Sequence, residues 1–382
     1  GAGLVHARPM IRIAAKKFRR RFFRRGRRTR PVIFARIPMS NSIPASRTVT
    51  PKLRVGVVGL GRMGVSYAQF LAGRVPGATL QAVADIRGDF AEATRAELGA
   101  DKAYTDFRDL IADPKVDAVA VITPALRHRE VVAAAAEAGK PIFCEKPLAV
   151  TLEDALAMQE LVARHQGFFQ LGFMRRFDAG YAAAWKKIQG GAIGTPCVFK
   201  ATSKDRVRPP LDYLRPENSG GLFVDLGSHD FDLARWFMGE VASVYSTAGV
   251  LGYPEMKEIG DYDNAITNLR FKNGTIGSVN LGRKAVHGYA IYTEIAGTEG
   301  TIQIGYDRET PILVMTENAV THDCVPAYHE RFENAFVVQL RDFVQNVTQG
   351  RPPSITLADG IAAQRIALAA TQSAKSNQVV EV

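Results

Sequence analysis

The run Leu53-Arg54-Val55-Gly56-Val57-Val58 leads directly into Gly59-Leu60-Gly61-Arg62-Met63-Gly64, and then into Val65-Ser66-Tyr67-Ala68-Gln69-Phe70-Leu71. Strand, glycine loop and helix in immediate succession is the arrangement a dinucleotide-binding βαβ unit requires. Gly59 permits the tight turn, Gly61 lets the backbone approach a pyrophosphate, and Gly64 lets helix and strand pack closely. The start of the helix presents free N–H groups and partial positive charge to phosphates. A second strand, Leu80-Gln81-Ala82-Val83-Ala84, ends in Asp85, 21 residues after Gly64. An acid there accepts hydrogen bonds from the adenosine ribose and repels a 2′-phosphate, so NAD is expected over NADP. Arg87 opposes this, since it could give some charge to a phosphate.

The alternation continues. Phe90–Leu98 reads as helix, Tyr104 begins a short edge segment, and Phe107–Ala112 is helical. Val116–Ile122 is a buried strand, Arg129–Ala138 an alanine-rich helix ended by Gly139, and Pro141–Glu145 another strand. Strands alternating with helices imply a parallel sheet covered on both faces. Ligands bind such sheets at the carboxyl ends of the strands. Two conspicuous segments fall there, Thr123-Pro124-Ala125-Leu126-Arg127-His128 and Glu145-Lys146-Pro147.

The later chain has a different grammar. Val241–Val250 and Asn264–Leu281 read as strands, with Asn273-Gly274 a hairpin turn. A further hairpin surrounds Gly297-Thr298-Glu299-Gly300, and Phe332–Gln349 and Leu357–Ser373 carry helical periodicity. Helix, antiparallel-type strands, then helices predict an α+β second domain. The expected division is 1–50 a basic tail, 51–172 a Rossmann NAD-binding domain, and 173–382 a substrate-binding and oligomerisation domain.

Charge matters only for the tail. The formal net charge is +11, but residues 1–50 hold 12 Arg and 2 Lys with no acid, so the remainder is net −3. A nucleic-acid partner is therefore disfavoured for the folded body. The tail lacks the apolar segment that export needs after its arginines, and residues 1–38 lack the serines of a mitochondrial presequence. It is expected to be disordered, or translated sequence upstream of a start at Met39. No apolar run reaches the roughly 20 residues of a membrane helix. Cys144, Cys197 and Cys324 are odd in number and far apart. They suggest no disulfide framework and no metal site, and so a reducing, cytoplasmic compartment.

A site that moves a hydride to or from a dinucleotide needs a proton acceptor and a means of stabilising developing charge. Lys146 follows a strand beside the cofactor site. Asp225 and His229, four apart, would share one face of a helix, where a carboxylate can orient an imidazole. An imidazole of ordinary pKa, about 6.5, suits proton transfer near neutral pH.

GLGRMG, VITPALRH and AGKPIFCEKPLA together resemble the Gfo/Idh/MocA family of nicotinamide-dependent sugar and polyol dehydrogenases, from about residue 53 to the C-terminus. The segments Leu171–Asp178 (LGFMRRFD) and Gly220–Asp232 (GGLFVDLGSHDFD) are most similar to inositol 2-dehydrogenases. The resemblance implies a Rossmann domain followed by a domain with a large open, mostly antiparallel sheet, through which members form dimers or tetramers. It implies His229 as the acid/base, with Lys146 and Asp225 positioning and polarising the hydroxyl. It implies cofactor contacts at Gly59, Gly61, Arg62, Met63, Gly64, Asp85, Ile86, Thr123, Pro124, His128, Glu145 and Lys146. Substrate contacts fall at Lys146, Met174, Arg175, Asp205, Asp225, His229 and Tyr289. Arg175 could bind two neighbouring hydroxyls through its fork, or pair with a nearby carboxylate such as Asp178. Thr202-Ser203-Lys204-Asp205-Arg206 departs from the His-Arg-Asn-type run of some inositol dehydrogenases and is closer to a subgroup with Ser-Arg-Asp. That departure, with His287 and Tyr292, leaves the stereoisomer open. An aldose or L-sugar dehydrogenase, an NAD-dependent glycosidase and a non-catalytic NAD-binding regulator remain alternatives on the same fold.

Overall fold

The computed structural model describes residues 51–305, 308–310 and 312–382, so the readings of the basic tail lie outside the described residues. The first sheet comprises β1 (Leu53–Val58), β2 (Ala78–Ala84), β3 (Lys102–Tyr104), β4 (Ala118–Val121), β5 (Ile142–Glu145) and β6 (Phe169–Gly172). Between them run α1 (Arg62–Gly73), α2 (Gly88–Leu98), α3 (Phe107–Ala112), α4 (His128–Glu137) and α5 (Leu152–Arg164). All pairings are parallel, in the order β3-β2-β1-β4-β5-β6. Strands covered on both faces have no solvent side. Accordingly every residue of β4 is buried, as is every residue of β1 except Arg54.

The chain leaves β1 toward β2 on one side and later returns to β4 on the other. This reversal opens a crevice beyond the carboxyl ends of the strands. Gly59, Asp85, Thr123 and Lys146 lie within two residues of the ends of β1, β2, β4 and β5. Strand direction alone therefore gathers them along one rim.

The second half begins with α6 (Ala179–Gln189) and β7 (Pro196–Lys204). Four helical segments follow: α7 (Leu211–Leu214), α8 (Pro216–Ser219), α9 (Gly221–Asp225) and α10 (Ser228–Met238). Then come β8 (Val241–Gly249), β9 (Asn264–Phe271), β10 (Ile276–Gly282), β11 (Ala290–Gly297) and β12 (Thr301–Ile304). A small hairpin, β13 (Val314–Met315) and β14 (Val320–Thr321), precedes α11 (Tyr328–Thr348), α12 (Leu357–Ser376) and β15 (Val380–Glu381). The larger sheet runs β12-β11-β7-β10-β9-β8-β15. Among the described residues only β7 and β10 pair in parallel within it.

One face of this sheet is covered by α10 and α12. In β9, Ala265, Thr267, Leu269 and Phe271 point inward while Ile266, Asn268 and Arg270 are exposed. That is the period-two pattern of a sheet solvated on one side. The expected Asn273-Gly274 turn joins β9 to β10, with Gly274 at φ +86°. The chain then folds back on the first sheet: Leu171 N donates to Ile355 O at 3.0 Å, and Ile355, Leu357 and Ile361 share a core with Leu148 and Leu171.

Gly64 shows how closely α1 seats on the loop. A Cβ added there would lie 1.8 Å from the Gly59 carbonyl oxygen. Gly64→Ala should therefore destabilise the protein by about 1–3 kcal/mol, as overpacking does, and weaken NAD binding. Thermal melting and NAD titration test this; wild-type values for both would contradict the close-approach argument.

Candidate functional site

The phosphate end is a cradle that side chains would fill. Gly59 has φ +90°, and a Cβ there would meet the Ile122 carbonyl oxygen at 2.8 Å. A Cβ on Gly61 would meet nothing within 4 Å, so its backbone faces open space. No side chain caps the start of α1, which leaves its amides, including those of Arg62, Met63 and Gly64, the outward donors of a helix N-terminus. Arg62 reaches across to lie over the Tyr328 ring, 4.7 Å from its centroid. Thr123, beside Pro124, has a buried hydroxyl with no hydrogen-bond partner. This cradle, with an orphaned hydroxyl beyond β4, fits a dinucleotide.

Asp85 is not a bare carboxylate. Its Oδ2 accepts from Leu60 N at 2.8 Å, and its Oδ1 accepts from Arg87 N at 3.0 Å and Arg87 Nε at 2.8 Å. Burial pushes its pKa up, but the bonds from Arg87 and Leu60 outweigh it and leave the group below its ordinary value. Arg87 thus clasps Asp85, with its guanidinium over Phe90 at 4.4 Å. Ile86 between them is almost fully exposed. His128 is 1% exposed, its two ring nitrogens 2.9 Å from Thr123 O and 3.2 Å from Leu148 O. It ties together the loops after β4 and β5, so its contribution to the cradle is through the backbone.

At the other end of the crevice, Glu145 Oε2 accepts from Lys146 N at 2.7 Å. Its Oε1 accepts from the Tyr67 hydroxyl, which in turn accepts from Gln339 Nε2. Burial raises the Glu145 pKa. Lys146 Nζ donates to the Asp225 carbonyl at 2.9 Å and lies 3.5 Å from Asp225 Oδ1. Tyr213 OH donates to the same Oδ1 at 3.0 Å, and Arg283 Nη2 donates to Oδ2 at 2.8 Å. Burial alone would push the Asp225 carboxyl up, but Lys146 and Arg283 hold it down, to about 2.

The expectation that Asp225 and His229 share one helix face needs correction. The chain turns at Leu226-Gly227, between α9 and α10. Gly227 sits tightly there, since a Cβ would meet Phe223 O at 2.6 Å. Among the described residues no hydrogen bond joins Asp225 to His229, because the carboxylate faces Arg283, Lys146 and Tyr213. The imidazole instead meets the Phe173 ring edge-on at 6.0 Å, and its Nδ1 is buried without a partner. The ordinary pKa expected for it is corrected too: burial, then the charges of Arg175 and Lys146, push it well below 6.5.

Arg175 pairs with a carboxylate, though not with Asp178. It is 1% exposed, and its Nη1 donates to Ser203 Oγ and Asp230 Oδ1, both at 2.9 Å. Asp178 is engaged elsewhere, capping α6 and pairing with Arg331 at 2.8 Å. Met174 and Tyr289 are buried close by, with Tyr289 against Phe332 and Tyr328. Burial raises the Tyr289 hydroxyl pKa against the pull of Arg175. Asp205 accepts from Arg283 Nη1 at 3.0 Å, and burial raises its pKa despite that pairing.

Lys146, Asp205 and Asp225 thus form one charged cluster, flanked by His229 and Arg175. Asp85 and Ile86 lie apart, three strand spacings from β5, about 14 Å. The sequence reading passed over Arg283 and Tyr213. Arg283 has no motif, and its proximity to Asp205 depends on the register that pairs Gly282 with Lys204.

Residues 53–173 match the description "Oxidoreductase family, NAD-binding Rossmann fold", and residues 186–382 match "Oxidoreductase family, C-terminal alpha/beta domain", the two halves of Gfo/Idh/MocA. The chain belongs to the Gfo/Idh/MocA oxidoreductase family. It is 37% identical over 332 residues to scyllo-inositol 2-dehydrogenase (NAD(+)) of Bacillus subtilis, covering 87% of this chain and 96% of the relative. It is 38% identical to myo-inositol 2-dehydrogenase of Thermotoga maritima, covering 86% and 98%. The crystal structure of scyllo-inositol dehydrogenase from Lactobacillus casei with bound NAD(H) and scyllo-inositol superposes with a TM-score of 0.81 at 31% identity, covering 86% of this chain and 99% of that one. Among the described residues no group of three or more His, Cys, Asp or Glu could hold a metal ion, and no helix is long and apolar enough to cross a membrane.

Two outcomes follow for this Gfo/Idh/MocA protein. Asp85→Ser removes the like charge facing a 2′-phosphate and frees Arg87. It should shift the kcat/KM ratio toward NADP on the order of 10- to 100-fold, the effect of one like-charge contact in a partly buried site. An unchanged ratio would remove Asp85 from cofactor selection. For the imidazole, kcat/KM reports groups of the free enzyme. If His229 is the base, the oxidation rate should stay flat as pH falls through 6.5 and decline only below it, since the neutral form persists there. A base limb above pH 7 would assign that limb to another group.

Proposed function

We propose that this protein is an NAD-dependent inositol 2-dehydrogenase that oxidises one secondary hydroxyl of myo- or scyllo-inositol, or of a related cyclic polyol, to the ketone. The observation that carries the reading is Lys146 held on Asp225 beside the cofactor cradle, with the buried His229 imidazole near enough to feel the Lys146 charge. Its support comes from inositol dehydrogenase relatives aligned over almost their whole length.

Bound NAD would supply the two-electron acceptor for the hydride leaving the carbinol carbon. The chain does the rest. Lys146 donates to the hydroxyl oxygen and stabilises the negative charge developing there. His229, neutral and with Nδ1 buried, takes the hydroxyl proton through Nε2. The C–O bond becomes a carbonyl as proton and hydride depart. Asp225 stays ionised and anchors Lys146. Arg175, Asp205, Tyr289 and Met174 bound the polyol ring, and Gly59, Gly61, Arg62, Met63, Gly64, Asp85, Ile86, Thr123, Pro124, His128 and Glu145 form the cofactor side. The reading includes a domain boundary near residues 172/173 and a reducing, cytoplasmic setting, supported by three free cysteines. It also includes a dimer or tetramer through the uncovered face of the larger sheet, where Ile266, Ile276 and Tyr292 are exposed.

NADH formation should be followed over myo-, scyllo- and chiro-inositol, D- and L-glucose and a chromogenic glycoside. An inositol should give the highest kcat/KM. Aglycone release without net NADH would overturn the dehydrogenase reading. Loss of base catalysis in His229→Ala should lower kcat by about 10²–10⁴-fold, while NAD titration stays unchanged because the cradle is intact. Near wild-type kcat in that variant would require another proton acceptor.

A further inference from the structure

Beyond the residues that the family resemblance marks, the reacting end is built around a cation with no motif of its own. Arg283 immediately follows β10 and is 1% exposed. Its Nη1 donates to Asp205 Oδ2 at 3.0 Å and its Nη2 to Asp225 Oδ2 at 2.8 Å. The backbone fixes this fork from both sides: Arg283 N donates to Asp263 O, Asp205 N to Gly282 O, and Ala285 N to Asp205 O.

We infer that Arg283 is a positioning residue of the proposed reaction, one guanidinium holding Asp205 and Asp225 apart and aimed so that Asp225 keeps Lys146 on the substrate hydroxyl. The inference rests on the reading of Lys146 and Asp225 given under the proposed function.

Charge counting supports it. Asp205 approaches from the end of β7, Asp225 from α9, and Asp261 from the segment before β9. All three carboxylates sense Arg283. Lys146 from the loop after β5 is the other cation of the cluster. Tyr213 from α7 donates to Asp225, and Glu145 adjoins Lys146. Without Arg283, Asp205, Asp225 and Asp261 would be left with the Lys146 amine, which Glu145 also draws on, and with Arg175 only at the flank. Neighbouring buried carboxylates relieve such repulsion by binding a proton, which raises an apparent pKa. A protonated Asp225 is a poor anchor for an ammonium group. A planar fork spans two carboxylates where a point charge serves only one, so lysine is an incomplete substitute.

The test uses the full chain with Arg283→Met, Arg283→Lys and the double variant Arg283→Met/Asp205→Asn. Arg283→Met should lower kcat on the order of 100-fold, the effect of misplacing a catalytic group by about 1 Å, with KM for the polyol moved far less and NAD titration unchanged. The acid limb of the pH profile should move up in Arg283→Met, partly return in Arg283→Lys, and return further in the double variant, which has one acid fewer. A folded Arg283→Met with wild-type kcat and acid limb would reduce Arg283 to packing. If that variant does not fold, Arg283→Lys decides: a shifted limb supports the inference, and a wild-type profile overturns it.

If the wild type oxidises no polyol, the proposed function fails separately, and the electrostatic part of the inference is read from thermal unfolding. Asp225 lies below its unfolded value in the wild type, so it adds stability above about pH 4 that is lost as pH falls. In the Arg283 variants the folded value rises toward or past the unfolded one, so the Asp225 share of that decline should shrink or reverse; coincident wild-type and variant curve shapes would overturn the inference.

Discussion

A buried, ionised carboxylate organises the reacting end of this protein. Taking Asp225 out of water is costly unless donors replace the lost solvent. Three side chains do so, from three separate stretches: Lys146 after β5, Tyr213 in α7 and Arg283 after β10. None of these stretches neighbours another in sequence. The site is therefore a closure point, complete only when the first sheet, the larger sheet and the helical segment before α9 are all in place. Lys146 also binds the Asp225 carbonyl, so backbone and side chain of one residue both hold the amine.

A second buried carboxylate links this point to the cofactor. Glu145 precedes Lys146 and holds its amide, while its other oxygen faces Tyr67 in α1, the helix that the glycine loop starts. Tyr67 packs against Phe143 and Phe336, 5.5 and 5.9 Å away, and bonds Gln339 in α11. The helix at the glycine cradle and the lysine of the proposed reaction thus share one anchor. Hydride transfer demands a small, reproducible separation of donor and acceptor carbons, and a common buried anchor is a direct way to hold it.

Legibility from sequence divided along physical lines. The first sheet could be read because glycine, strand and helix signals are local, and because strand direction alone places Gly59, Asp85, Thr123 and Lys146 on one rim. In the second half, β8 to β12 and the two long C-terminal helices were readable within a few residues, but α6, β7 and the short helices α7 to α9 were not, nor was the register of the sheet. The parallel pairing of β7 with β10, which sets Arg283 beside Asp205, joins strands about 80 residues apart through no local signal. Asp225-Leu226-Gly227-Ser228 reads as continuous helix, and the turn there follows from packing of Gly227 against Phe223 and Phe231. Nearness in sequence suggested Asp178 for Arg175, yet Asp178 is held at the start of α6 by backbone amides, while α10 brings Asp230 from 55 residues away.

Burial and then nearby charge weaken His229 as a base, and in the proposed reaction the same charges would strengthen the acid that it deprotonates. Arg175 and Lys146 both disfavour the imidazolium. Lys146, by donating to the hydroxyl oxygen in the proposed reaction, favours the alkoxide. An exposed histidine would be the stronger base, but it would face an alcohol of ordinary acidity. Placing the imidazole and the hydroxyl in one positive field lowers both pKa values together, so the hydroxyl becomes easier to deprotonate as the histidine weakens, and neutral histidine stays available near pH 7. In the reverse direction the same field makes the imidazolium a ready donor to the forming alkoxide. Asp225 and Asp205 keep that field from becoming excessive, and Arg283 fixes where their compensating charge lies.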